Sequence, residues 1–382
     1  MNYCSASTTV ADPYRAGAEL GEKLQNLRPD VVIVFLTIHY ADAVQDLVAG
    51  LRDFLGNEAL LCGGSGDGIY ETSGAEAHGV SALGIHTDGE SQWRAAFVRG
   101  VGADSAGATI EAARRITAEL DAPPTFAFAL ADGLKADGSR LVEGLRQSFS
   151  VPCFGGLTSD DRRFARSVVF LGDETAEDAL MLLVASGRVP FRLDAASGWI
   201  PIGDIGRATR TEGATLHEID HRPAEQFLRE QAGKTMCGME LVVLPIAEYL
   251  NENDSQFLLR SISKITPDGS VTLFGRIHEG ARVQVCHATL EEILGGVETA
   301  ITDVKEVGFH PAAAILISCA GRKWLLPQSG QEEVDRTIKE LGALPLIGIP
   351  SYGEICPFRL TDGTYSPTMF HNVTFGICVL GR

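Results

Sequence analysis

The feature that most constrains this chain is a pattern that comes round three times. It begins with VVIVFLT at Val31, passes through a stretch with Val44, Leu47, Val48, Leu51, Phe54 and Leu55 on one helical face, and returns as LLCGGSGDG. Apolar runs from Val80 to Ile85 and from Trp93 to Val98 follow. The same order recurs as TFAFALA from Thr125, a helix with Leu141, Val142, Leu145 and Phe149 inward, then VPCFGGLTSDD, SVVFLGD and ALMLLVASG. It closes the chain as AAAILISCAG from Ala312, a helix with Val334, Ile338 and Leu341 inward, then LPLIGIPSYGEICP and HNVTFGICVLG. Gly63-Gly64 and Gly155-Gly156 occupy one place in this pattern, and Gly348-Ile349 stands there in the third copy.

A β-rich run, a 3.6-period run and a second β-rich run ending in glycines describe one strand–helix–strand–hairpin unit used repeatedly. Such a unit cannot bury its sheet alone, so its copies must pack on one another. The pattern predicts an α/β (mixed α+β) fold of layered mixed sheets with helices outside. Between the second and third copies lie a helix near Pro223 to Gln231, the run ELVVLPIAEYL, hairpin-like sequence from Leu258 to Val285, and an amphipathic helix carrying Leu290, Ile293, Leu294, Val297 and Ile301. We read this stretch as a degenerate fourth unit, with a domain boundary near 215–222. The chain then divides into an extension with a helix (1–30), a first domain (31–218) and a second (219–382). No low-complexity linker marks the boundary, so the two domains are expected to share a tight interface.

At 382 residues, 45% hydrophobic and 21% charged, the chain has the composition of a compact protein. Its 32 basic against 50 acidic residues give a net charge of -18, and no Lys/Arg run interrupts that balance, which disfavours nucleic acid and anionic lipid as partners. The start carries no basic segment followed by an apolar core, and the longest apolar run, Val31 to Ile38, falls far short of the roughly 20 residues that span a bilayer. A cytoplasmic location follows as an expectation. Eight scattered cysteines without CxxC pairing (Cys4, Cys62, Cys153, Cys237, Cys286, Cys319, Cys356, Cys378) read as reduced, buried thiols.

The order of LLCGGSGDG, FGGLTSDD, LLRSISKITPDGSVTLFGRIHEGARVQV, SCAGRKWLL, and PLIGIPSYGEICP followed by FHNVTF is specific enough to carry a family resemblance. The chain resembles FIST proteins from about Val31 onward, with a FIST N domain over 31–218 and a FIST C domain over 219–382. That resemblance implies a sensory protein for a small-molecule ligand, an amino acid being the usual suggestion, that regulates a separate signalling partner such as a histidine kinase. Some members look like haem-containing nitric-oxide sensors, so haem and a small polar metabolite stand as rival ligands.

The run GGSGDG invites a phosphate-loop reading, but the residues after it read as turn and strand where such a loop must open a helix. Gly63, Gly64, Gly155 and Gly156 then serve either close approach between repeats or the lining of a cavity where strand-end turns converge. Cys319, Arg322, Tyr352, Glu354, His371 and Asn372 supply the cation, carboxylate, amide, imidazole and phenol needed to hold a zwitterion. Arg322 would take the carboxylate and Glu354 the amine; the alternative is an internal Arg322–Glu354 ion pair. For haem the axial candidates are His39, at the end of the run VVIVFLTI, then His371 and His78. The enzyme alternative is a cysteine-dependent or hydrolytic reaction at Cys62, Cys153 or Cys319, with no motif partner in sight and GxSxG and HExxH absent. The neighbouring carboxylates Asp160-Asp161 and Glu332-Glu333 point apart and are expected to be solvated. The final strand could leave an edge for a second copy, giving a homodimer, or lie inside its sheet.

Overall fold

The computed structural model describes residues 1–233, 244–252, 256–305, 307–328 and 330–382. The first unit runs β1 (Asn2–Thr8), α1 (Pro13–Leu24), β2 (Val31–Thr37), α2 (Val44–Leu55), β3 (Leu60–Gly66), the hairpin β4 (Ile69–Glu71) and β5 (Gly74–Glu76), and β6 (Val80–His86). The second repeats that order as β7 (Ser91–Arg99), α3 (Ser105–Thr117), β8 (Pro124–Ala131), α4 (Gly138–Ser148), β9 (Cys153–Leu157), the hairpin β10 (Val169–Leu171) and β11 (Glu174–Ala176), and β12 (Ala179–Gly187). Residues 1–30, read from sequence as an extension, are therefore the lead strand and first helix of unit one.

The third unit opens with β13 (Phe191–Ala196) and is then interrupted. An inserted segment forms β14 (Ile200–Glu212), β15 (Thr215–Ile219), β16 (Arg222–Pro223), α5 (Ala224–Ala232), β17 (Ile246–Tyr249), β18 (Phe257–Arg260), β19 (Ile262–Ile265), β20 (Val271–Leu273) and β21 (Arg282–His287). The unit resumes with α6 (Leu290–Val304), β22 (Pro311–Cys319), the short α7 (Ala320–Leu325), α8 (Gln331–Leu341), β23 (Leu346–Ser351), the hairpin β24 (Glu354–Cys356) and β25 (Met369–His371), and β26 (Phe375–Gly381).

In each unit the lead strand pairs with the return strand, the return strand with the first core strand, and the first core strand runs parallel to the second. The hairpins do not stay at home. Hairpin β10–β11 of unit two extends the sheet of unit one at β3; β24–β25 of unit three extends unit two at β9; β4–β5 of unit one extends unit three at β23. Three six-stranded sheets are thus closed into a ring by cyclic exchange.

Side-chain alternation fixes which way each sheet faces. Ile33 and Phe35, Phe128 and Leu130, and Ile315 and Ile317 hold equivalent register positions, and all six enter one central core shared by the three sheets. The residues between them turn outward onto each unit's own helices, as Val34 does beneath α1 and α2 and Ala129 beneath α3 and α4. Strands covered on both faces explain why VVIVFLT and TFAFALA are apolar apart from one terminal threonine each instead of alternating.

The inserted segment does not form a fourth unit. It makes a separate sheet in the order β18-β17-β21-β14-β15-β20-β19, around its own core of Leu216, Phe227, Ile246, Val271 and Val283. Its two edge strands, β18 and β19, are joined through Ser261 alone, so the sheet curls round on itself. The boundary drawn at 218/219 falls inside β15 of this sheet, and the amphipathic helix of residues 290–304 belongs to the third unit. The final strand β26 lies between β13 and β22, both edges paired, which leaves no free edge there for a second copy. Cys237 and the start of ELVVLPIAEYL lie outside the described residues.

Register also explains the glycines. Gly63, Gly155 and Gly348 face Val34, Ala129 and Leu316 across the parallel pair, and an added Cβ would stand 1.7, 1.9 and 2.5 Å from those residues' carbonyl oxygens. Gly64 and Gly156 make room between units, against Thr158 and Ile317. Among the alternatives left open by sequence, close approach is what these four glycines provide, and none of them lines the pocket described below. Gly63→Ala should lower stability by roughly 2–3 kcal/mol, whereas Gly295→Ala, where a Cβ meets nothing within 4 Å, should raise it by up to ~1 kcal/mol. Denaturant midpoints of the two variants check this contrast.

Candidate ligand-binding site

At one end of the ring the C-terminal ends of β3 and β23 meet the turn that follows β9. Ser65 Oγ donates to the Ser159 carbonyl at 2.8 Å, Ser159 Oγ to the Pro350 carbonyl at 2.6 Å, and the Asp67 amide to Ser159 Oγ at 2.8 Å. One residue from each unit is thereby locked into a buried polar seam. The inserted sheet covers this end, and between it and the seam lies a pocket of about 40 Å³.

Cys319, Ser351, Tyr352, Asn372 and Ser261 line the pocket together with Phe164, Phe274 and Trp324. The rings form a stack. Phe164 lies against Tyr352 at 4.8 Å between centroids and nearly parallel, Phe274 lies on its other side at 6.4 Å, and Trp324 meets Phe164 edge-on at 5.9 Å. Phe164 and Phe274 are each nearly half exposed, 45% and 44%. Phe164 belongs to the strandless stretch between β9 and β10, where both it and Arg162 take left-handed backbone angles (φ 51° and 71°). Outside the stack a second cavity of about 330 Å³, lined by Leu134, Asp137, Ala214 and Arg276, shares Phe164, Phe274 and Tyr352 with the inner pocket. The aromatic stack is the wall between the two.

Trp324 and Tyr352 are each anchored by a carboxylate. Trp324 Nε1 donates to Asp67 Oδ2 at 2.5 Å, and Lys323 Nζ holds Asp67 Oδ1 at 2.8 Å. The Tyr352 hydroxyl donates to Asp160 Oδ1. Burial opposes ionisation of Asp160, but Tyr352 and the amides of Phe164, Ala165 and Arg166 outweigh it and hold the acid below its ordinary value. Asp160 was expected to be solvated; it is buried because it ties down the loop that carries Phe164.

The remaining predicted residues lie behind the pocket. Arg322 is fully buried and its donors are engaged: Nε with Glu333 Oε1 at 2.7 Å, Nη1 with the Ser197 carbonyl at 2.6 Å, Nη2 with the Ile293 carbonyl at 2.9 Å. It pairs with Glu333, also expected on the surface, and not with Glu354, so the clamp of Arg322 and Glu354 around a zwitterion is not assembled. Glu354 accepts from Ser351 Oγ at 2.8 Å and Thr374 Oγ at 2.7 Å, and burial raises its carboxyl to about 8. Its cross-strand partner is His371, whose Nε2 is 2.8 Å from the Cys356 carbonyl and which burial lowers to about 4. Asn372 Oδ1 accepts from the Ser261 amide at 3.4 Å, linking β25 to the inserted sheet.

In the other two units the hairpin positions equivalent to Glu354 and His371 hold Val169 with Ala176, and Ile69 with Glu76. The buried Glu354–His371 pair is therefore a departure of unit three alone, placed directly beneath the pocket. His39 and His78 are exposed, their rings edge-to-face at 4.5 Å, and His371 is enclosed. None of the three projects into an apolar slot that would admit a macrocycle, so these residues do not fit haem ligation. Among the described residues no group of three or more His, Cys, Asp or Glu is placed to hold a metal ion, and no helix is long and apolar enough to cross a membrane.

Phe164, Phe274, Trp324 and Ser261 were not singled out from sequence as site residues. Trp324 stands in the quoted SCAGRKWLL and Phe274 in SVTLFGRIHEG; the usable signal was an aromatic beside a turn-rich, polar stretch, as in SDDRRFARS.

Residues 30–222 match the FIST N domain and residues 223–357 the FIST C domain, so the chain belongs to the FIST family. The division between them falls at β16, inside the inserted sheet. An uncharacterized protein of Methanocaldococcus jannaschii is 23% identical over 248 residues, covering 61% of this chain and 47% of that protein, so the chain spans about half the length of this curated relative. Among solved structures, the cyanuric acid hydrolase of A. caulinodans is 9% identical with a TM-score of 0.39, covering 99% of this chain and 98% of its own. A chorismatase is 10% identical with a TM-score of 0.35 over 100% of this chain and 98% of its own.

Two outcomes are expected. Glu354, raised when folded, contributes stability that is full below its unfolded value near 4.5 and is lost as pH rises toward 8. His371, lowered when folded, contributes stability that is full above 6.5 and is lost as pH falls toward 4. Denaturant titrations of wild type and Glu354→Gln should diverge between pH 5 and 8, with the variant losing less. Second, burial pushes the Cys62 and Cys153 thiols up to about 12 and Cys319 higher still, so all three should alkylate slowly at pH 7 in the folded protein. Fast labelling of any one would bring the thiol-enzyme reading forward.

Proposed function

We propose that this protein is a small-molecule sensor whose ligand enters the axial pocket, and that the ligand carries a flat apolar or aromatic group with a polar edge. The observation that carries the reading is the Tyr352–Phe164–Phe274 stack between a 40 Å³ pocket and a 330 Å³ groove. Phe164 fills a slot that a ligand ring could fill, stacked on Tyr352 and bounded by Trp324. Below it Cys319, Ser351, Asn372 and Ser261 offer a thiol, an amide and hydroxyls to the ligand's polar edge. An amino acid with a ring side chain has this make-up, and it suits the slot better than haem. Membership of the FIST family, whose domains are associated with small-ligand sensing in signal transduction, supports the sensory role.

The output we propose is regulation of a separate partner, a histidine kinase being the class the family resemblance points to. Displacing Phe164 would pull on the unit-two loop of residues 158–168, which bonds to unit three through Ser159 and Asp160 and to unit one through Val168. Ligand binding would then favour one arrangement of that loop, and only a difference in affinity between two arrangements can transmit a signal.

A thermal-shift screen over the twenty amino acids and simple aromatic acids and amines, followed by Trp324 fluorescence titration, tests the reading. Phe164→Ala removes the competing ring and should tighten binding of a hit about 3- to 10-fold, from the ~0.5–1.5 kcal/mol of an aromatic pair. Asn372→Ala should weaken it. A hit indifferent to both substitutions, or a stoichiometric Soret band that depends on His39, His78 or His371, would overturn the assignment.

A further inference from the structure

A larger cleft, about 490 Å³, lies between α4 of unit two, β25 of unit three and strands β17, β18 and β21 of the inserted sheet. Its walls carry Arg146, Arg260, Arg276, Arg282 and His278, in a chain whose net charge is -18. In sequence these residues are spread over more than a hundred positions; tertiary structure alone gathers them.

Most of the charge there is already balanced. Arg260 Nη2 stands 3.2 Å from Glu248 Oε2, both side chains buried, and His278 Nδ1 is 2.7 Å from Glu248 Oε1. Arg276 reaches Asp137 through Nε at 2.9 Å and Nη2 at 2.7 Å. The cleft's other acids are taken from outside, Glu143 by Arg140 and Glu252 by Arg207 at 2.8 Å. What is left over is Arg146 and Arg282. Arg146 donates to the Thr368 carbonyl at 2.5 Å and to the Met369 thioether; Arg282 donates to the Asn251 and Glu252 carbonyls and lies 4.7 Å over the Tyr249 ring. Among the described residues neither guanidinium stands within ion-pair distance of a carboxylate, and Glu143 and Glu252 act on them only at longer range. Partial burial lowers Arg146 from the ordinary arginine value, with the nearby Glu143 acting against that shift.

We propose that this cleft is an anion site, taking a small organic molecule that bears a phosphate or carboxylate group engaged by Arg146 and Arg282, with its apolar body against Tyr249 and Phe370. A cavity of this size suits a metabolite-sized ligand, and guanidinium is the donor best matched to either oxyanion. The site is independent of the axial pocket reading. The two cavities nevertheless stand back to back: Arg260 and Phe370 line the cleft while the nearby Ser261 and Asn372 line the pocket, and Arg260 Nη1 donates to the Phe370 carbonyl at 2.9 Å.

Isothermal titration of the full chain with inorganic pyrophosphate and with citrate, at low and matched ionic strength, tests the proposal. At least one probe should bind, and which one does separates phosphate from carboxylate recognition. Arg146→Gln and Arg282→Gln should each weaken binding about tenfold, as expected for one charge-assisted hydrogen-bonding group, and the double variant should abolish it. Arg114→Gln, on the exposed face of α3 and paired with Glu111, should bind as wild type does. Arg282 contacts no buried carboxylate, so its variant decides the matter if Arg146→Gln folds poorly. No binding of either probe, binding unchanged in Arg282→Gln, or equal weakening by Arg114→Gln would overturn the proposal.

Discussion

The structure depends on one exchange: each unit lends its hairpin to the next unit's sheet. Without β10–β11 from unit two, β3 of unit one would end in an unpaired edge; without β24–β25 and β4–β5, so would β9 and β23. Unsatisfied backbone groups buried at three such edges would be prohibitive. The exchange therefore makes the three units obligate partners, although they are covalently one chain. It also brings the segments before each hairpin to a common point, which is why Ser65, Ser159 and Pro350 can bond to one another.

A ring of three similar units would present three similar surfaces at that point. Function requires that the likeness be broken, and unit three breaks it. Its hairpin buries Glu354 and His371 where unit two has Val169 and Ala176 and unit one has Ile69 and an exposed Glu76, its first core strand runs into α7 with Trp324, and its lead strand is followed by the inserted sheet that closes the pocket with Ser261 and Phe274. The burial of Glu354 and His371 is costly for their charged forms, and neither of the other units buries a polar pair at these positions. The carboxylates beneath Trp324 and Tyr352 serve a different end. Asp67 and Asp160 fix ring positions through single hydrogen bonds, while Phe164 has no such anchor of its own.

The inserted sheet has a second consequence. Docked against α4 and β25, it encloses a cleft whose cations outnumber its anions, inside a strongly acidic protein. The backbone segments that line this cleft turn their neighbouring residues into the axial pocket, so a shift of β18 or β25 would be felt on both sides.

Hydrophobic period and glycine placement were enough, in sequence, to establish the unit and to find its three full copies, because both are local: a strand covered on two faces must be largely apolar, and a glycine facing a carbonyl across a parallel pair leaves no room for a side chain. They also placed Cys319, Tyr352 and Asn372 at strand ends, where the pocket is. What local signals cannot carry is exchange between units. Nothing in the sequence showed where the hairpins pair, the first thirty residues read as an extension, and the insertion read as a fourth copy, because the partners lie far apart along the chain. For the same reason Arg322 and Glu354 looked complementary, yet Glu333, eleven residues on along the chain and delivered by α8, claims the guanidinium. The tertiary structure alone decided which charges meet, which ring fills the slot, and which two arginines of the cleft stand, among the described residues, outside ion-pair distance of a carboxylate.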